Sequence, residues 1–336
     1  MSKKIISSNT EITNVLTSQD ESVNRLMSTY KTADSYDFEK FATTTTQVEK
    51  NEFLTAMFNK ILTQRVFEPM GEWNNPYAKL FTRDKSALGG SEEWLSVDLV
   101  EAEDYDKTGT DLLTVKEPVL NIQQIYETDC KKYSISIAPS IMKRAFTTEY
   151  GLADLLSQVQ SRLQKSKDKY IYNVVNNKLA TITKTYKLTS PITALNDTEN
   201  ARKCYEEIIK LVTELAIPNT LYNVNGKDCV TNRGDAILVL NTQYNSSFDV
   251  NVLASLFNTA GITLNKYFKD VVVVAQPTDT NCIGYILDKD AIILTNDKLE
   301  VTSFYNASNL TTKFYLHNWT KINVNNSVNA IKLMTA

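Results

Sequence analysis

Asp106-Lys107-Thr108-Gly109-Thr110 is the stretch of this chain with the most reactive order of side chains. In ion-pumping ATPases the aspartate of that pentapeptide is the nucleophile that carries a phosphoryl group. The chemistry needs its carboxylate at the end of a buried strand, beside magnesium-binding acids. Here the preceding residues, Glu101-Ala102-Glu103-Asp104-Tyr105, are polar. The pentapeptide therefore reads as a turn in an acidic loop, and no phosphoryl transfer is expected. Asp104, Asp106 and Gly109 also imitate the start of a calcium loop, but Thr108 holds its fifth position and Val115 its twelfth, where a bidentate Glu is needed. His317 is the single histidine. A catalytic triad, a multi-histidine metal site or a histidine relay would each need partners that the sequence does not set beside it. It falls in the strand-like run Phe314-Tyr315-Leu316-His317-Asn318-Trp319, where a structural role is expected. Cys130, Cys204, Cys229 and Cys282 are scattered without CxxC spacing and read as reduced thiols. No Walker loop or G-x-G-x-x-G occurs, and the carboxylates form no acid–base pattern. The residues thus point to no catalytic, cofactor or metal site.

The elements that could hold such residues are organised around Glu149 to Ala180, which contains one glycine, Gly151, and no proline. Leu152, Leu156, Val159, Leu163, Tyr170 and Val174 recur at steps of three, four or seven, which predicts a helix with one narrow apolar stripe. At about 1.5 Å per residue it would be roughly 48 Å long. Its middle, Gln160 to Lys169, has Leu163 as its one apolar residue, so that part faces water or another chain. Periodicity alone fits both a structural spine and a long surface helix of an enzyme.

Before this helix, residues 1–48 are rich in Ser, Thr, Asn and Asp and read as an extended arm. Phe53, Leu54, Met57, Phe58, Ile61 and Leu62 predict a helix over 49–66, closed by Pro69 and Gly71. Trp94 to Leu99 and Leu113 to Leu120 read as the flanks of a long hairpin turning at Lys107 to Gly109. From Glu92 to Glu117 nine acidic residues stand against two lysines. Few apolar residues are left to bury at its tip, so it is expected to project. Strand-like sequence continues over 122–137. After a boundary near residue 184, Ala201, Cys204, Tyr205, Ile208, Leu211, Val212 and Leu215 predict a helix capped at Asp197 or Thr198 and ended by Pro218. Ala236 to Leu240 and Val271 to Ala275 read as buried strands, with a short helix over 250–257 capped by Asp249. Ile283 to Leu287 and Ala291 to Leu294 read as a hairpin around Asp288-Lys289-Asp290, and strands fill Val301 to Leu333.

The 336 residues suit about two domains, or one domain with large excursions. A net charge of −3 gives no overall basic field for nucleic acid, and no basic run with interleaved aromatics is visible, so contact with DNA is expected to be weak and not sequence-specific. No signal peptide is apparent at the N-terminus, and no apolar run approaches the roughly 18 residues of a membrane span. The chain reads as soluble and made in the cytosol.

In this order of elements the chain resembles the major capsid proteins of tailed phages, with the Hong Kong-phage-type fold, and most of all the major head protein of picovirus-type short-tailed podophages. The likeness is carried by Asn51-Glu52-Phe53-Leu54-Thr55, Glu92-Glu93-Trp94, Asp249 to Ala254 with Phe257-Asn258, Leu287-Asp288-Lys289-Asp290, Tyr315 to Trp319 and Ser327 to Ile331. The resemblance implies an α+β fold divided into an N-terminal arm and first helix (1–75), an extended E-loop hairpin with flanking strands (76–138), a spine helix of the peripheral domain (139–184), an axial domain (185–297) and closing strands returning to the peripheral domain (298–336). Some podophage head proteins continue into an immunoglobulin-like domain. This sequence stops at Ala336, so decoration by such a domain is not expected. Nor does any local sequence assign a lysine–asparagine cross-link, for which Lys107 would be available.

The implied function is structural: pentamers and hexamers of an icosahedral or prolate shell around phage DNA, assembled in the host cytoplasm with a scaffolding protein and a portal, without cofactor or membrane. An encapsulin-type nanocompartment shell and a soluble α+β enzyme are the alternatives; neighbouring genes and the missing catalytic site separate them. Because the family's loop crosses a neighbouring subunit near its spine helix, Glu101, Glu103 and Asp104 are expected to face Arg162, Lys165, Lys167 and Lys169 of that neighbour. Ile141 to Ile182 holds seven basic residues against three acidic ones.

Overall fold

A computed structural model describes the chain apart from residues 1–9, 65–73, 84–91, 105–119, 126–128, 146–150, 190–197, 245–266, 275–280 and scattered single or short positions, Glu101 and Glu103 among them. The turn at Lys107 to Gly109, the helix expected at 250–257 and the stops at Pro69 and Gly71 lie outside the described residues. Two compact units are present: unit 1 is residues 1–75, 129–171 and 296–320, and unit 2 is 76–128, 172–295 and 321–336.

In unit 1 the helices are α1 (Glu21–Ser28), α2 (Phe38–Thr44) and α3 (Gln47–Gln64). Asp37 caps α2 by accepting from Lys40 N at 2.9 Å. Helix α3 begins two residues before the expected Glu49, because Thr46 and Glu49 form a reciprocal box. The Thr46 N–H donates to Glu49 Oε2 at 3.0 Å and the Glu49 N–H donates to Thr46 Oγ1 at 3.4 Å. The Thr46 hydroxyl, then its N–H, hold the Glu49 carboxyl below its usual range. That contribution is present above the unfolded pKa and lost as pH falls through the folded one. Thr46→Ala is expected to destabilise unit 1 by about 1 kcal/mol, read as a lower denaturant midpoint at neutral pH.

These helices pack on a sheet. Strand β4 (Asp129–Ile137) pairs antiparallel with β10 (Thr311–Val324), and β10 neighbours β9 (Ile292–Asn306). Burial alternates along β10: Thr312, Phe314, Leu316 and Asn318 are buried, and the residues between them are half-exposed. The buried side joins Val301, Ile137, Phe41, Phe53, Leu54, Met27, Val159 and Leu163 in one core.

Unit 2 has a five-stranded sheet in the order β5 (Thr185–Lys187), β11 (Ala330–Met334), β8 (Cys282–Asp288), β6 (Ala236–Asn241), β7 (Asp270–Val274). Every residue of β6 and β8 is buried, as expected of apolar runs covered on both faces. Helix α6 (Thr198–Leu215), which follows α4 (Pro76–Phe81) and α5 (Gly151–Ala180) in chain order, packs its seven expected core residues into this unit. Two expectations are corrected. Strands β8 and β9 do not form a hairpin: β8 pairs with β11 and β6, whereas β9 neighbours β1 (Thr82–Arg83) and β10. The chain between β8 and β9 is tied instead to the turn before β6, through Lys289 N donating to Asp235 O at 2.9 Å and Lys289 Nζ to Asp235 Oδ1 at 2.9 Å. The closing strands part company, since β11 completes the unit 2 sheet by pairing with β8 and β5. The hairpin is seen where β2 (Glu92–Val97) pairs with β3 (Leu120–Ile125), while the expected flank at 113–119 lies outside the described residues. Its described return flank is the isoleucine- and amide-rich Leu120 to Ile125.

Helix α5 (Gly151–Ala180) is the long helix; the expected first residues, 149 and 150, lie outside the described residues. Among the described residues its buried members are Val159, Leu163, Ile171, Val175 and Leu179, all at i+4 or i+8 steps. The expected Tyr170 and Val174 are half-buried instead.

Candidate functional site

Two of the seven residues expected at a subunit contact, Glu101 and Glu103, lie outside the described residues; Asp104 is exposed. On α5, Arg162, Lys165 and Lys169 are exposed. Steps of three and four place them on one face of the helix.

Lys167 does not belong with them. It occupies the i+4 row Val159, Leu163, Lys167, Ile171, Val175, Leu179, the buried edge of the helix. Its side chain is 13% exposed, and Nζ stands 3.9 Å from Oδ1 of Asp168, which is 17% exposed. Gln164 Nε2 donates to the same carboxylate at 3.1 and 3.3 Å. Burial lowers the Lys167 amine against the opposing pull of Asp168, and burial raises the Asp168 carboxyl. Counting charge along the sequence groups Lys167 with its neighbours, whereas helical periodicity sends it to the other side.

The ribbon also differs from its expected polar character. Its register sets Leu95 opposite Ile122 and Val97 opposite Leu120. These four are 61, 60, 48 and 52% exposed. The described part of the hairpin therefore shows an aliphatic face in addition to the acids of its sequence.

A third surface was missed in the sequence because its residues come from three separate strands. On the solvent side of the unit 1 sheet, β10 presents Lys313, Tyr315, His317 and Trp319, β4 presents Lys132, and β9 presents Lys298, Glu300, Thr302 and Phe304. Lys132 Nζ lies 5.8 Å from the Tyr315 ring and Lys298 Nζ 5.2 Å from the Trp319 ring. His317 Nε2 and Thr302 Oγ1 are 2.9 Å apart, which places the histidine in the sheet as expected. Asp106 lies outside the described residues. Among the described residues no group of three His, Cys, Asp or Glu could hold a metal ion, and no helix is long and apolar enough to cross a membrane.

Residues 13–334 match the model of the family described as Phi29-like phage major capsid protein. The chain is 21% identical over 296 residues to the major capsid protein of Bacillus phage GA-1, covering 84% of this chain and 60% of that protein. It thus spans about 60% of the length of this relative. Among solved structures it is similar to the capsid structure of Staphylococcus phage Andhra, with TM-score 0.57 at 12% identity over 84% of this chain and 92% of the other. It is similar also to the capsid structure of cyanophage P-SCSP1u, with TM-score 0.54 at 13% identity over 82% and 94%. These structural likenesses establish the α+β fold of Hong Kong-phage-type capsids.

Proposed function

We infer the role of this chain from its family: it belongs to the Phi29-like phage major capsid proteins. Copies of it assemble as pentamers and hexamers into the shell of a tailed phage, in the host cytoplasm and around double-stranded DNA, with a scaffolding protein and a portal as partners. The family match over nearly the whole chain carries this reading. Residues 1–75 serve as the N-terminal region, with α1 to α3 packed into the core of unit 1 instead of the extended arm that the sequence suggests. The β2–β3 ribbon serves as E-loop, α5 as spine and the body around 185–297 as axial domain.

Neighbouring copies join in part through charge. The acids of the ribbon, Glu101, Glu103 and Asp104, face Arg162, Lys165 and Lys169 of a second copy. Lys167 is left out by its burial. Exposed pairs of this kind are screened over roughly 8 to 10 Å at moderate salt. Sedimentation of the purified chain should therefore show large assemblies at low salt that dissociate as salt is raised. A chain that sediments as a single subunit at every salt concentration would contradict the reading.

The chain has no catalytic task in this role. Purified protein is expected to hydrolyse ATP no faster than its Asp106→Asn variant. Hydrolysis by the parent that disappears in the variant would instead make the pentapeptide a working site.

A further inference from the structure

The solvent side of the unit 1 sheet carries a file of rings. Tyr315, His317 and Trp319 follow one another on β10 at two-residue spacing, which sets successive side chains about 6.6 to 6.8 Å apart on one face. The Tyr315 and His317 ring centroids are 6.3 Å apart with planes inclined by 34°. Phe304, on the neighbouring β9, is 59% exposed. Lys132 stands over Tyr315 and Lys298 over Trp319, and Lys313 continues the file on β10. Glu300 is the carboxylate within this set, and it pairs with Lys298.

Half-exposed rings with an ammonium group standing over each of two of them match the two halves of a nucleotide. A base has a flat face that stacks on a ring without regard to its identity, and the phosphate meets an ammonium group. Duplex DNA keeps its base faces stacked on one another, so the rings suit unpaired nucleotides. The acidic ribbon of a second copy would offer the same sign of charge. Its described exposed face, however, is aliphatic at Leu95, Val97, Leu120 and Ile122, a poor match for three lysines. We propose that this sheet face binds single-stranded nucleic acid without sequence preference, with bases stacked on Tyr315 and Trp319 and phosphates on Lys132, Lys298 and Lys313. The proposal goes beyond the shell function and does not depend on it.

The test is fluorescence anisotropy of a labelled oligothymidine of about ten nucleotides, within the range of known stacking platforms, titrated with the whole chain kept unassembled by moderate salt. Shell formation therefore does not enter the result. Binding is expected to be at least about tenfold tighter than to a duplex of equal length, with a slope of log K against log salt near −2 for three lysines on a single strand. Tyr315→Ala and Trp319→Ala should each weaken it about tenfold. Tyr315→Phe, which keeps the ring, should retain it, and Glu300→Gln should strengthen it. Should either alanine variant fold poorly, Trp319→Tyr with Lys132→Gln and Lys313→Gln separates stacking from charge in a folded background. The proposal is overturned if duplex and single strand bind alike, or if the ring variants bind as the parent does. It is overturned equally if a synthetic peptide of residues 92–117 binds this face while the oligonucleotide does not.

Discussion

Gly284→Ala is expected to cost unit 2 about 3 kcal/mol, toward the upper part of what overpacking of a core does, and a large share of the 5 to 15 kcal/mol that holds typical domains folded. Gly284 lies in β8, between β6 and β11. A Cβ added there would fall 2.1 Å from the carbonyl oxygen of Val239 and 3.2 Å from the Cα of Leu240. Both are backbone atoms of a fully buried strand, so no side-chain rotation relieves the clash; β6 and β8 would have to separate and lengthen their hydrogen bonds. Gly234→Ala is the control, since nothing lies within 4 Å of its added Cβ. Urea unfolding should show a lower midpoint with unchanged slope for Gly284→Ala and little change for Gly234→Ala. Equal midpoints for the two variants would show that β6 and β8 do not approach this closely.

Reversing the exposed stripe of α5 should have the largest effect on assembly and a small one on folding. The variant Arg162→Glu, Lys165→Glu, Lys169→Glu changes three exposed side chains. Each exposed pair is worth about 0 to 1 kcal/mol, so subunit melting should hardly move. The same small difference recurs at every copy of the contact, and like charge facing like charge rejects the docked register. Shell formation should therefore be blocked or misdirected. Adding Glu101→Lys, Glu103→Lys and Asp104→Lys should partly restore it. Lys167→Glu behaves in the opposite way: a second carboxylate beside Asp168 in a largely buried pair is expected to lower melting directly. If the triple variant assembled at low salt with the parent's yield and shell size, the charge pairing would be abandoned.

What the sequence revealed follows from which signals are local. The helix at Thr198–Leu215 was legible to its last core residue because its apolar spacing and its following Pro218 are local. The strands Ala236–Asn241 and Cys282–Asp288 were legible as uninterrupted apolar runs. Pairing is not local. Nothing in Asp288-Lys289-Asp290 says that the chain changes sheets there; the contact with Asp235 decides it. The position of Lys167 was available from the i+4 row through Val159 and Leu163, but a tally of charge hides angle around a helix. The ring-and-lysine face was beyond reach for a third reason. Lys132, Lys298, Phe304 and Trp319 meet only after β4, β9 and β10 have paired.

Electron microscopy of the purified chain at low salt addresses the shell function most directly, alongside circular dichroism to establish that the sample is folded. The predicted result is closed, hollow particles of uniform diameter, built from rings of five and six copies. Folded protein that appears as isolated subunits or small open oligomers at the same concentration and salt would contradict it.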